Sequence, residues 1–177
     1  MTSRPPCPPP VPPPAPAATL DGGDVLQIGG HLVVGLSART NAAAADQIAA
    51  ALAAEGDPSL VSTLPVPRGL HLKSACSALD HETLLVSGDA AGAAVEAGLR
   101  EKLPALAAKL RLERLPDPLA ANVLRVGRAV VAQGSPEALD ALRGLCAARG
   151  LELRALPGMG EFVKADGALT CCSILLA

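Results

Sequence analysis

Residues 24–34 read DVLQIGGHLVV, two apolar segments that flank a Gly-Gly pair. Apolar residues on both sides of a two-residue glycine turn are typical of a β-hairpin. A helical segment follows from Asn41, a suitable N-cap, to about Glu55, and another strand-like run at 60–64 stops before Pro65. This stretch therefore predicts a unit with the order ββαβ.

The same order of elements occurs twice more along the chain. The second unit predicts strands at 76–79, 83–86 and 110–115, with a helix at about 90–102; the third predicts strands at 123–126, 129–132 and 151–156, with a helix that starts after Ser135 and stops at Gly150. Residues 167–177 predict the first strand of a fourth unit. Because each unit can bury its apolar face only against its neighbours, the repeat indicates a stacked or ring-shaped α/β domain.

Four polar residues lie about fifty positions apart, near the start of the first strand of each unit. They are Asp21, His71, Asn122 and Cys171. A carboxylate, an imidazole and a thiol at equivalent places in a repeat can converge on one pocket. Those three groups are the parts of a cysteine nucleophile with its acid/base partner.

Composition excludes several classes of function. Residues 1–18 contain nine prolines and predict a disordered or polyproline II tail, so the folded domain is expected at 19–177. A net charge of −2 and a single aromatic residue argue against a nucleic-acid partner. Neither a signal peptide nor an apolar run of about 18 residues, as a membrane span needs, is apparent. Five cysteines without secretory signals favour reduced thiols and a cytoplasmic location.

Several short motifs resemble those of the dimethylarginine dimethylaminohydrolases, which belong to the pentein (guanidine-modifying) superfamily. The motifs are DGGDVL at 21–26, VGLSARTN at 34–41, GLHLKS at 69–74, LAAN at 119–122, KADG at 164–167 and LTCCS at 169–173. The resemblance implies a pentein-type α/β propeller, which in the family has five ββαβ blades. The chain resembles the C-terminal three-fifths of that pattern, so an incomplete propeller of about three units plus a final strand is expected.

The resemblance also implies a reaction, namely hydrolysis of dimethylarginine and monomethylarginine to citrulline and dimethylamine or methylamine. It needs no cofactor, proceeds through a covalent cysteine intermediate and regulates nitric oxide synthesis. Cys171 matches the nucleophile, His71 the general acid/base, and Asp21 the carboxylate that orients the imidazole and faces the guanidinium.

Three further residues match positions that bind the substrate in the family. Arg39 matches the arginine that grips the substrate carboxylate, for which a planar guanidinium is suited. Ala165 and Asp166 match a stretch whose backbone contacts the amino-acid end of the substrate. The expected partner is therefore a small molecule, a methylated arginine.

Each of these residues also has an ordinary structural interpretation. Taken without the motifs, they would be a buried cysteine, a hydrogen-bonded histidine, a turn aspartate and a solvated loop arginine. Cys172 and Asp24 compete with Cys171 and Asp21, but on a strand each would point to the opposite face from its neighbour in the motif.

Three other functions remain open: an arginine deiminase, a non-catalytic binding protein that keeps the repeat, and a zinc site. The zinc reading is the weakest, because no CxxC or HxxxH spacing is present. Inhibitory zinc at Cys171 and nitrosation of reactive thiols are implied by the resemblance alone. The family's N-terminal part, which has no counterpart in the motifs found here, carries further carboxylates, another arginine and a mobile loop. The 177-residue chain is therefore expected to be weakly active or inactive.

Overall fold

The structure, a computed structural model, describes residues 17–158, 160–165 and 167–173, without the side chain of residue 162. The strands are β1 (Val25–Ile28), β2 (His31–Leu36), β3 (Leu60–Pro65), β4 (Cys76–Ala78), β5 (Thr83–Ser87), β6 (Arg111–Leu115), β7 (Leu124–Val126), β8 (Ala129–Ala132) and β9 (Glu152–Ala155). The helices are α1 (Ala42–Ala54), α2 (Ala90–Lys102), α3 (Pro104–Ala107), α4 (Pro136–Ala147) and α5 (Gly160–Lys164).

The predicted ββαβ repeat is confirmed three times. The strands form three separate three-stranded sheets, in the orders β1-β2-β3, β4-β5-β6 and β7-β8-β9. In each sheet the first two strands pair antiparallel as a hairpin, and the third joins the second in parallel after a helical crossover. The fold is therefore a mixed α/β domain built of repeated units.

Turns and caps account for several element boundaries; the caps Asn41 and Ser135 were predicted from the sequence, whereas Asp89 was not. Gly29 and Gly30, between β1 and β2, have φ angles of 58° and 77°, which a residue with a side chain rarely adopts. The crossover helices begin at side-chain caps, with Asn41, Asp89 and Ser135 accepting hydrogen bonds from backbone amides of the first turn.

The hydrophobic core lies between neighbouring units. One cluster joins the first unit to the second and includes Ile28, Leu64, Leu84 and Leu99, all about 1% exposed or less. A second cluster joins the second unit to the third through aliphatic side chains such as Leu85 and Leu142. Each unit thus covers the apolar face of the next, as the repeat predicts.

The first strands of the three units face a common space. A cavity of about 380 Å³ is lined by residues of β1, β4 and β7, together with Lys73 and Thr170. The polar turns that precede these strands are consequently brought close to one another.

Some predicted boundaries are wrong. Within 167–173, where a strand was expected, Thr170–Cys172 form a 3-10 turn, and residues 174–177 lie outside the described residues. Asp24 ends another 3-10 turn, Gly22–Asp24, and is not part of β1. Pro65 belongs to β3 as its last residue. The helices α3 and α5 were not predicted.

The predicted proline-rich tail, residues 1–18, lies outside the described residues except for positions 17 and 18. The carbonyl of Ala17 accepts a hydrogen bond from the Asn41 side chain. None of the helices in the ranges given above has the length and apolar character to cross a membrane.

Candidate active site

Short 3-10 turns contain or adjoin the polar residues of the fifty-residue repeat, and the first three of these turns each precede the first strand of a unit. Asp21 caps the turn Gly22–Asp24, His71 precedes the turn Leu72–Ser74, and Asn122 follows the turn Pro118–Ala121. Cys171 is the middle residue of the turn Thr170–Cys172. The spacing in sequence therefore reflects a repeated position in the fold.

Asp21 and His71 form a close pair across two units. The Oδ2 atom of Asp21 lies 2.9 Å from Nε2 of His71, an ion-pair distance, although the ring is not aligned for a regular hydrogen bond. The other carboxylate oxygen accepts a hydrogen bond of 3.0 Å from the Gly23 amide. This backbone hydrogen bond, together with the interactions of the carboxylate with His71 and Arg39, lowers the pKa of the Asp21 carboxyl below its ordinary value. Asp21 is accordingly an anion at neutral pH.

Arg39 lies against the same carboxylate. Its Nη1 atom is 3.4 Å from Oδ2 of Asp21, and its side chain is 53% exposed. The sequence placed Arg39 at the substrate carboxylate; in this structure its guanidinium is instead paired with the carboxylate that was expected to face the substrate guanidinium.

His71 is buried, with 6% of its side chain exposed. Its Nδ1 atom has no hydrogen-bond partner within the described part of the chain. Gly23 packs over the ring so closely that a Cβ atom there would lie 2.5 Å from the ring Cγ and 2.7 Å from Nδ1. Only a glycine at position 23 leaves this ring orientation undisturbed.

Asp24, which competed with Asp21 in the sequence, has a different role. Its side chain is buried and accepts hydrogen bonds from Ser37 Oγ (2.7 Å), Thr40 Oγ1 (2.7 Å) and the backbone N–H of Leu72 (2.8 Å). The Thr40 hydroxyl oxygen in turn accepts from the Asp21 N–H at 2.9 Å. Asp24 thus ties the turn after His71 to the segment that carries Asp21.

Cys171 lines the same space as these groups. A cavity of about 440 Å³ is lined by Asp21, Gly22, Gly23, Arg39, Leu70, His71, Lys73, Ala165, Gly167, Thr170, Cys171 and Ser173. Five of the six predicted site residues are therefore brought together, while Asp166 lies outside the described residues. Cys171 lines this cavity and Cys172 does not. The strand-face argument that favoured Cys171 does not apply, because both cysteines belong to a 3-10 turn.

The remaining described cysteines are less suited to act as nucleophiles. Cys171 is exposed, whereas Cys76 and Cys146 are buried in the cores. Burial raises the pKa of Cys76 to about 12, so its thiol stays protonated and unreactive at neutral pH.

Lys73 is a site residue that the sequence analysis missed. Its half-buried side chain lines both the cavity with Cys171 and the space between the first strands. Burial lowers the pKa of Lys73, and the negative charges of a Cys171 thiolate and of the Asp21 and Asp24 carboxylates act in the opposite direction. The GLHLKS motif contained Lys73, but no spacing distinguished it from a surface lysine.

Another cavity of about 900 Å³ lies at the far ends of β5 and β6. Its lining is mainly charged, with Asp80, Glu82, Arg111 and Arg149 among its residues, and it has no cysteine. Among the described residues no group of three or more His, Cys, Asp or Glu side chains is arranged to hold a metal ion. Asp21, His71 and Cys171 all line the smaller cavity.

The sequence matches a known protein family over half of its length. The profile described as arginine deiminase matches residues 13–101, half of the chain. The chain belongs to the arginine deiminase family. This result confirms the pentein assignment that the motifs indicated, and the match includes the residues of the Asp21–His71 pair.

Two curated relatives of the chain are dimethylarginine dimethylaminohydrolases, from Streptomyces coelicolor and Pseudomonas aeruginosa. The chain is 36% identical over 160 residues to N(G),N(G)-dimethylarginine dimethylaminohydrolase from Streptomyces coelicolor, an alignment that covers 89% of this chain and 55% of the relative. The chain thus spans about half the length of the Streptomyces relative.

Solved structures of this family have the same fold. A Pseudomonas aeruginosa dimethylarginine dimethylaminohydrolase, a cysteine-to-serine mutant complexed with citrulline, superposes with a TM-score of 0.67 at 26% identity, over 86% of this chain and 54% of that chain. The N-terminal domain of a cyanobacterial arginine dihydrolase, bound to its substrate, has a TM-score of 0.63 at 22% identity, over 84% and 53% of the two chains. The second likeness concerns the fold alone.

Proposed function

We propose that this protein hydrolyses N(G)-methylated arginines to citrulline and dimethylamine or methylamine. The observation that carries the proposal is one cavity lined by Asp21, His71 and Cys171, with the carboxylate and the imidazole 2.9 Å apart. The 36% identical relative is a dimethylarginine dimethylaminohydrolase, which supports this substrate class. In this proposal the reaction limits the amount of a nitric oxide synthase inhibitor and needs no cofactor.

The first half of the reaction forms a covalent intermediate. The Cys171 thiolate attacks the guanidinium carbon, and the carbon–nitrogen bond to the methylated amine breaks as His71 gives that nitrogen a proton. The amine leaves, and an S-alkylthiouronium joins the substrate to Cys171. A guanidinium carbon is a poor electrophile, so it needs a strong nucleophile held in place.

The second half releases citrulline. His71, now neutral, accepts a proton from a water molecule that attacks the thiouronium carbon. The carbon–sulfur bond then breaks as the remaining hydroxyl proton passes to solvent, the thiolate returns to Cys171, and the oxygen of water becomes the ureido oxygen. The anionic Asp21 stabilises the imidazolium in each cycle and attracts the cationic substrate.

The position of Arg39 supports recognition of a guanidinium by Asp21. Arg39 carries the same planar cation as the substrate, and its Nη1 atom lies 3.4 Å from the Asp21 carboxylate. In the proposed complex the substrate guanidinium replaces this contact. The exposed Arg39 side chain then turns to pair with the carboxylate of the substrate.

The three units are proposed to be blades of a pentein propeller. Two observations support this arrangement: the first strands of all three units line one cavity, and 86% of the chain superposes on a dimethylarginine dimethylaminohydrolase structure. A crystal structure in which β1, β4 and β7 did not surround a common axis would contradict it.

The test of function is citrulline release from asymmetric dimethylarginine by the purified 177-residue protein and by its C171S variant. We expect slow release by the wild-type protein, a mass increase at Cys171 after rapid quenching, and neither signal in C171S. Absence of both signals in the wild-type protein would exclude this activity for the chain and favour a binding role. A rate equal to that of the Streptomyces relative would contradict the expected weak activity.

Arginine deiminase activity is the second candidate, because the family profile bears that description. In that case ammonia leaves in place of the methylated amine, with the same residues in the same steps. Comparing kcat/KM for arginine and for dimethylarginine separates the two. A higher value for arginine would replace the first proposal by the second.

A further inference from the structure

Asn122 is the fourth polar residue of the fifty-residue repeat, and the proposed reaction gives it no part. Its side chain is buried, with the residue 2% exposed, at the end of the turn that precedes β7. A buried amide needs hydrogen-bond partners, so its contacts indicate what the residue does.

The Asn122 amide bridges the turn after His71 and the turn that carries Cys171. Its Nδ2 atom donates to the carbonyl of Lys73 at 2.6 Å and to Oγ1 of Thr170 at 2.8 Å. Its Oδ1 atom accepts from the backbone N–H of Thr170 at 3.0 Å.

These partners fix the orientation of the amide. A carbonyl can only accept a hydrogen bond and a backbone N–H can only donate one, so exchange of Oδ1 and Nδ2 would break both contacts. Asn122 consequently holds Lys73, two residues after His71, and Thr170, one residue before Cys171, at a fixed separation.

We propose that Asn122 is a positioning residue that fixes the Cys171 turn against the His71 turn, so that the thiol and the imidazole reach the same substrate carbon. The inference rests on the proposed function for its catalytic consequence. The bridge itself follows from hydrogen bonds of the described residues.

The main test compares two alkylating reagents at Cys171. A haloacetamidine carries an amidinium, which the Asp21 carboxylate can attract, whereas iodoacetamide is neutral and reports only on access to the thiol. The rate at Cys171 is followed by peptide mass spectrometry, with Cys172 as an internal reference. We expect N122A to lower the haloacetamidine rate about tenfold or more relative to the iodoacetamide rate, because small misplacements of reacting groups cost large factors.

Two further variants test whether a change in the ratio of alkylation rates comes from the Asn122 bridge. T170V removes one of the three hydrogen bonds, keeps Asn122, and should change the same ratio in the same direction by a smaller factor. It also keeps the inference testable if N122A does not fold. S135A removes the cap of α4, away from the cavity, and should lower stability without changing the ratio.

The outcomes separate this inference from the proposed function. If wild-type Cys171 shows no preference for the haloacetamidine, the proposed function fails. The bridge is then tested by hydrogen exchange, in which N122A should lose protection at the Thr170 amide. If wild-type Cys171 shows the preference and folded N122A and T170V retain it in full, Asn122 is not a positioning residue. Where citrulline release is measurable, kcat should fall in N122A with little change in KM.

Discussion

Gly23 determines where the imidazole of His71 can lie. Any side chain at this position meets the ring, because a Cβ atom would lie less than 3 Å from three of the His71 side-chain atoms. The residue also donates its N–H to Asp21, so one glycine contacts both members of the pair.

We expect G23A to displace the ring from Asp21 and to lower the haloacetamidine rate at Cys171 by about 100-fold, as misplacements near 1 Å do in other active sites. The matched control is G144A, because a Cβ atom at Gly144 in α4 meets nothing within 4 Å. A G23A rate equal to the wild-type rate would show that the ring position is not needed.

Lys73 supplies the positive charge nearest in sequence to His71 inside the cavity. Lys73 lines the same cavity as Cys171, and a positive charge there attracts negatively charged reagents. We expect K73M to lower the rate at which anionic iodoacetate alkylates Cys171, relative to neutral iodoacetamide, by about threefold to tenfold. The control variant is K109M, because Lys109 is exposed. If alkylation of Cys171 changed equally in K73M and K109M, the expected effect of Lys73 would be refuted.

Some arrangements of single residues could be predicted from the sequence, and others could not. The motifs identified Asp21, His71 and Cys171, and the structure brings them to one cavity. Asp24 was excluded as lying on the opposite strand face, although a 3-10 turn places it in the buried network beside Asp21. The contacts of Asn122 depend on residues 48 and 49 positions away, which no local pattern reveals.

At the scale of elements, the main helices and strands could be predicted from local sequence patterns, whereas the 3-10 turns could not. Asn41, Asp89 and Ser135 cap the three crossover helices, so their starts could be read from the sequence. The turn at Cys171 has only short-range bonds of its own and is held by Asn122, so its apolar sequence was mistaken for a strand.

Asp89 offers a test at this scale. Its carboxylate accepts from the amides of Ala91 and Gly92, and the hydrogen bond from Ser87, the largest cause, lowers the pKa of Asp89. We expect D89A to lower the free energy of unfolding by about 1 kcal/mol, and D89N by less.

The free energy of unfolding that is lost in D89A is expected to depend on pH. Because the folded pKa of Asp89 lies below the unfolded value, the stabilisation by its charge is present above the unfolded value of 3.8 and is lost as the pH falls through the folded value. The difference in urea-unfolding free energy between wild-type protein and D89A should therefore shrink on acidification. A difference that grows would contradict this account.

For the whole molecule, the important feature is that its cores lie between units and not within them. Leu99 of α2 belongs to the first core and Leu142 of α4 to the second. We expect L99A and L142A each to lower the free energy of unfolding by about 2–5 kcal/mol. Because the second unit contributes to both cores, each variant should still unfold in one transition, measured by circular dichroism in urea. A split transition would mean that the two interfaces melt independently.

The organisation of the whole molecule was predictable from the repeat, since units of nearly equal length and the same order of elements are expected to share cores. The way in which neighbouring units contact each other could not be predicted. It depends on contacts such as the hydrogen bond from the Leu72 amide to the Asp24 carboxylate, between residues 48 positions apart in the chain.

The 3-10 turns that carry the proposed catalytic residues are made in a fixed order on the ribosome. Asp21 and His71 belong to the first two units, which share a core of their own, whereas Cys171 is translated about one hundred residues after His71. Because synthesis runs from the N-terminus and the core shared by the first two units is complete in sequence at Leu112, the carboxylate–imidazole pair can be in place before the thiol is synthesised. The nucleophile would then enter a prepared site, and its reactive form would not be exposed on a nascent chain.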